Sequence, residues 1–416
     1  MIYFLICGVL YLIYAFLTFK KTKTFFPSII FSFMWGINCI FTSLILLGLF
    51  DNMYLEDFYV YNHMDTYIIF FTITSLFAFY WNHKDNKIKI KIQFSLTHLE
   101  KILDTYSWIM WLNFFGGLLR IVLMIQLVGF NSMMDYRLAA NDMMMTSGSG
   151  FVGLVFRLTA YVQLLTNFYV TLAGFNTGYK KINLHYILKI FILYAPTQMA
   201  TGGRLFILYF IIFFFGSFLL GRGISIENKS QSLFSRTEIR ALAISFIGLL
   251  ALVSIIAMAR QSEGNINEES AIAKFSYITE GMLATEHCMS FYEVDSFKPD
   301  YGEYLLKGNS ETMSKFREEL FMTRMSNIVY CIITPLYIGF GYWGSLIVWF
   351  FIAFLVELLS IRCLNKLTII NFFIFITLLK IFYESIMAVP IINLPVIQLI
   401  ILLAIFYKPI FGRLNK

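Results

Sequence analysis

The chain has 416 residues, 59% of them hydrophobic and 14% charged, with a mean hydropathy of +0.72. A soluble protein this apolar could not cover its own surface, so composition requires a polytopic membrane protein. The net charge of +7 comes largely from lysine clusters between apolar runs, which is a topogenic pattern and not a nucleic-acid footprint.

A helix needs about 20 apolar residues to cross a hydrocarbon core of roughly 30 Å. The first run, Met1–Phe19, lacks a basic start and its lysines follow it, so it is expected to be a span and not a cleaved leader. In chain order, spans are expected near 2–19, 26–50, 66–82, 104–129, 151–175, 184–200, 204–220, 241–259, 343–361, 367–388 and 391–409, about eleven in all. The linkers separate by charge. Lys20, Lys21 and Lys23, then Lys84 to Lys91, Lys180 and Lys181, Arg222 to Arg240, Arg362 and Lys366, and finally Lys408 to Lys416 mark one side. Asp51–Asp65 is acidic, and Asn131–Gly150 holds one basic residue, Arg137. The positive-inside rule then places the N-terminus outside and the C-terminus inside.

Three blocks result: a membrane bundle over 1–259, an external segment over 260–342, and a second bundle over 343–416. The loop Arg260–Arg324 is acidic on balance and expected to be mostly helical. Met325–Tyr342 is apolar but broken by Pro335, Gly339 and Gly341, which predicts an external amphipathic or re-entrant helix leading into the next span. No Gly-rich phosphate loop and no linker large enough for a nucleotide-binding domain is present, so the chain carries no ATPase of its own. Cys7, Cys39, Cys288, Cys331 and Cys363 are scattered, with neither metal-ligand spacing nor a disulfide framework.

Arginine is used differently from lysine. In this topology Arg120, Arg137, Arg157, Arg204, Arg260, Arg317 and Arg324, with Lys380, fall on the external face or in the outer halves of spans. A charge inside a span costs about 2.5–3.5 kcal/mol on insertion scales and rarely persists without a partner. Planar guanidinium forks gathered on the outer side suit a phosphate or carboxylate ligand. Bland roles compete: Arg204 and Arg260 stand where snorkelling anchors occur, and Lys380 and Glu384 are spaced to satisfy each other on one helix.

Thr201-Gly-Gly-Arg204 opens an apolar span, a long external loop follows, and Tyr337-Ile-Gly-Phe-Gly-Tyr-Trp-Gly344 precedes a late span. This pattern resembles the O-antigen polymerases, which join lipid-linked oligosaccharide repeat units. Arg137 followed by Gly148 is similar to an arginine–glycine spacing in some members. Arg260 departs from that spacing, because Ala271 stands where glycine would. The related O-antigen ligases carry a histidine just before the late glycine-rich segment, and Thr323–Tyr330 has none.

The resemblance implies a metal-independent glycosyltransferase of GT-C-like, all-helical architecture in the bacterial inner membrane, without cofactors and acting at the periplasmic face. Its substrates would be undecaprenyl-pyrophosphate-linked saccharides, and its partners would be membrane lipids and a chain-length regulator. Arg204, Arg260, Arg137, Arg157, Arg120 and Arg324 would bind pyrophosphate or saccharide. Glu286 and His287 would supply the general base. A ligase, a polyprenyl-phosphate-sugar transferase and a saccharide flippase are the alternatives; the flippase is disfavoured by the single late loop and the lack of two similar halves.

Overall fold

A computed structural model of the chain describes residues 2–22, 24, 26–47, 63–85, 90–128, 151–180, 184–200, 209–229, 281–282, 285–286, 288–289, 298–307, 310–322 and 331–385. Helix accounts for 90% of these residues. The helices are α1 (Ile2–Thr22), α2 (Pro27–Leu46), α3 (His63–Asp85), α4 (Leu96–Thr105), α5 (Trp108–Val128), α6 (Phe151–Tyr179), α7 (Leu184–Met199), a π-helical turn (Ile211–Gly216), α8 (Ser217–Lys229), α9 (Glu303–Lys307), α10 (Glu311–Met322), α11 (Ile333–Asn365) and α12 (Ile369–Glu384).

Among the described residues, six segments are long and apolar enough to cross a membrane: Ile2–Thr22, Pro27–Leu46, Met64–Lys84, Leu96–Gln126, Phe151–Tyr179 and Ile333–Asn365. Ile211–Ser225 and Ile369–Tyr383 are shorter apolar helices. The chain is therefore a helical, membrane-embedded protein. The expected spans 241–259 and 391–409 lie outside the described residues.

The chain forms two compact units. The first comprises Met1–Lys89, Glu268–Asn365 and Leu378–Asn393; the second comprises Ile90–Asn267, Lys366–Thr377 and Leu394–Lys416.

In the first unit, aromatic rings build the core. Phe31 lies 5.3 Å from Trp35 and 5.2 Å from Trp349, and Trp349 stacks on Phe71 at 5.2 Å. Both buried indoles donate, Trp35 Nε1 to Ser385 Oγ at 2.8 Å and Trp349 Nε1 to Ser75 Oγ at 2.8 Å, so their polar atoms cost little inside the bundle. α2 opens on Pro27, whose missing N–H is harmless in a first helical turn. α11 breaks at Gly341, where φ is 68° and ψ −170°, a conformation open essentially to glycine alone. The break falls where the sequence separates the expected pre-span segment from the span after it. Before it, Ile338 O accepts from the Asp300 amide at 3.1 Å, tying the turn 300–303 to α11.

In the second unit, α6 and α8 pack backbone against backbone. A Cβ on Gly178 would stand 2.0 Å from Phe218 O, and one on Gly174 would stand 2.3 Å from Phe214 O. The spacing Gly174-x-x-x-Gly178 makes this approach possible, as small residues do between membrane helices. α8 runs on to Lys229, past the expected end of its span at residue 220. Arg222, expected in a solvated linker, is buried within α8, and its Nη1 donates to Lys180 O at 3.3 Å, satisfying a carbonyl just beyond the end of α6. α4 is a separate helix, capped by Ser95 Oγ, which accepts from the His98 amide at 3.0 Å; a turn at Tyr106 and Ser107 divides it from α5. Lys180 also pairs with Glu100 of α4.

Candidate functional site

The second unit concentrates its polar groups where α5 meets α6 and α7. Gly116 and Gly117 let α5 press close to both neighbours. A Cβ on Gly117 would meet Thr197 N at 2.2 Å, and one on Gly116 would meet the Thr159 methyl at 2.9 Å. Asn113 Nδ2 donates to the carbonyls of Leu193 at 2.9 Å and Tyr194 at 3.2 Å. Thr197 Oγ1 returns a bond to Asn113 O at 2.6 Å, and Tyr194 Oη donates to Asn167 Oδ1 at 2.9 Å. Pro196 sits within this turn of α7 and removes one backbone donor, so the helix there is weaker than an uninterrupted one and is held from the side. Four residues after Pro196, at Ala200, the described part of this strand of chain ends and Thr201-Gly-Gly-Arg204 begins.

Arg120 is a buried charge in this region. It lies one helical turn beyond Gly117 on α5, is only 3% exposed, and holds its guanidinium 4.3 Å from the Phe156 ring centroid on α6. A guanidinium stacked on an aromatic face keeps its N–H donors in the plane at right angles to that contact. Arg157, next to Phe156, is exposed on α6 about 9 Å along the helix from its start. The structure thus brings Arg120 and Arg157 to α5 and α6 of the same unit. Arg204, Arg260, Arg137, Arg324 and His287 lie outside the described residues.

Glu286 belongs to the first unit. It is buried, and its Oε2 accepts from the Met64 amide at 2.6 Å, in the first turn of α3. A carboxylate there complements the positive end of the helix. Its neighbour Thr285 bonds Thr334 Oγ1 at 2.7 Å and Gly281 O at 2.7 Å, fixing this stretch against the start of α11. Burial pushes the thiols of Cys288 and Cys331 up, so neither supplies a thiolate nucleophile at neutral pH. Lys380 is buried in α12, at 9% exposure.

The first unit also holds a buried acid–imidazole pair that apolar run length does not reveal. Glu357, fully buried in α11, accepts from Ser28 Oγ at 2.6 Å, from the Ser28 amide at 3.1 Å and shares a hydrogen with His83 Nε2 at 2.5 Å. The signal was available: Glu357 is an acid inside an expected span, and such a residue marks a functional position by default. Asn113 and Asn167, amides within spans, carried a similar and weaker signal.

The chain matches no protein-family model, no curated protein and no solved structure.

Proposed function

We propose that the chain polymerises polyprenyl-pyrophosphate-linked oligosaccharide repeat units at the outer face of a bacterial plasma membrane. The observation that supports this reading is Arg120: a guanidinium almost wholly withdrawn from solvent in an apolar bundle, stacked on Phe156, in the unit whose helix α7 runs into Thr201-Gly-Gly-Arg204. A planar guanidinium held in such a bundle is suited to a phosphate ligand.

In the proposed reaction the growing chain, carried on polyprenyl pyrophosphate, is the donor. A hydroxyl of the incoming unit forms a bond to the donor's first anomeric carbon as the bond from that carbon to the pyrophosphate oxygen breaks. The hydroxyl proton leaves to a base, and the electron pair leaves with the pyrophosphate. The largest demand is the negative charge that develops on the leaving group, and fixed guanidinium donors meet it without a metal. Arg204 and Arg260 carry this role in the proposal, with Arg120 and Arg157 extending the anion site and Arg137 and Arg324 holding saccharide or a second phosphate. Because Glu286 is engaged with the α3 amide, His287 is the preferred base.

The test is Arg204→Ala and Arg120→Gln, expressed in cells that lack the native chain. Losing one donor of this kind lowers a rate about 10²–10³-fold, so both variants should lose long chains at an unchanged membrane level. Wild-type chain length in a well-expressed Arg204→Ala would refute the assignment.

A further inference from the structure

Glu357 and His83 take no part in the chemistry above, and we infer that together they form a proton-binding site within the membrane, reached from the lysine-bearing end of the first unit. Three observations meet there. Glu357 is 0% exposed, yet it sits on a long apolar helix where a lone carboxylate is expensive. Its oxygens are engaged by Ser28 and by His83 Nε2. The second ring nitrogen, His83 Nδ1, is buried without a hydrogen-bond partner, in a side chain only 6% exposed.

An imidazole has two nitrogens, and only one of them faces the carboxylate. A proton can therefore enter at Nδ1 while the hydrogen on Nε2 stays shared with, or passes to, Glu357 Oε1. The pair goes from a net charge of −1 to 0 by taking up one proton, and no other reactant is needed. The Ser28 amide and hydroxyl, in the first turn of α2, both bond the carboxylate.

The surroundings leave few rivals for the proton. α1 contributes Lys21, whose Nζ donates to the backbone carbonyl of His83 at 3.2 Å, and the buried Tyr14 hydroxyl, which lies near Ser28 and Glu357. α2 contributes Ser28 and, just before its first residue, the edge of the Phe26 ring, 5.0 Å from the imidazole. α11 contributes Glu357, and Lys84 follows His83 on α3. His83 stands in the last turn of α3, beside Lys84, and its carbonyl accepts from Lys21, so the pair lies near the lysine-bearing end of the helix. Loading would also weaken the acceptor that holds the first turn of α2.

Two measurements on the full-length chain in lipid nanodiscs test the site. Infrared difference spectra between about pH 5 and 8, the range in which imidazole exchanges protons, should show a carboxyl band that shifts in D2O and disappears in Glu357→Gln. Nitrogen-15 spectra of histidine-labelled wild-type chain should show one imidazole, assigned by its loss in His83→Gln, changing protonation or tautomer over the same range. The second measurement needs no carboxylate variant, so misfolding of Glu357→Gln would not leave the question open. Either signal titrating establishes the site. A Glu357 band and a His83 resonance that both stay constant throughout would overturn it and leave the pair as a structural pin.

Discussion

The guanidinium of Arg120 lies 4.3 Å from the ring centroid of Phe156, and Arg157 is the next residue along α6. This is a contact between two helices of one unit, and it places a buried cation over an aromatic ring. Phe156→Leu keeps most of the volume and removes the ring face, a loss of about 0.5–2 kcal/mol. The expected outcome is shorter glycan chains at a near-normal membrane level, with Phe156→Tyr retaining wild-type length. Immunoblots run beside glycan gels check it; equal chain lengths in Leu and Tyr variants would remove the stack from the mechanism.

The seam between α5 and α7 depends on Asn113 and Thr197. Asn113→Leu and Thr197→Val should each lower stability by about 0.6–1.7 kcal/mol, the range of interhelical hydrogen bonds in membranes. The double variant should cost less than the sum, because both bonds join the same pair of helices. Thermal unfolding of purified protein in detergent gives all three values, and strict additivity would show that the two bonds act independently.

Much of the framework was legible because apolar run length maps directly onto helix length. The runs expected at 2–19, 26–50 and 66–82 appear as α1, α2 and α3 with ends displaced by a few residues. Gly341 is legible as a break because Gly339 and Gly341, with one residue between them, punctuate an apolar run. Hydropathy hid the rest. A window average does not register one acid among many aliphatic residues, so Glu357 disappears into a span, and its partner His83 falls one residue past the expected end of another at residue 82. Arg222 was read as topogenic for a similar reason: a charge after an apolar run looks like a linker, and only the packing of α8 on α6 shows it reaching the Lys180 carbonyl. Gly174 and Gly178 carried a spacing that sequence could have used.

That spacing makes a sharp prediction. A methyl group at Gly178 would lie 2.0 Å from a backbone oxygen, which cannot rotate away, so Gly178→Ala must push α6 and α8 apart. The expected cost is about 1–3 kcal/mol, read as reduced folded yield in size-exclusion chromatography. Gly116→Ala should be milder, since its new methyl meets the end of the Thr159 side chain at 2.9 Å. A larger loss at Gly116 than at Gly178 would contradict the packing.

Gly341 separates space from strain. A Cβ there would meet nothing within 4 Å, yet φ of 68° with ψ of −170° excludes other residues. Gly341→Ala should therefore cost about 1–3 kcal/mol through the backbone alone. An unchanged unfolding temperature would mean that the break in α11 tolerates a side chain.

The most direct measurement is the surface-glycan ladder of a strain in which this chain is deleted, run beside strains complemented with wild type and with Arg204→Ala. The polymerase proposal predicts collapse of the ladder to the acceptor carrying a single repeat unit, restored by wild type and not by Arg204→Ala. Bare acceptor without any repeat unit would contradict it and point to a ligase, a flippase or an upstream transferase, and an unchanged ladder would remove this glycan as the substrate.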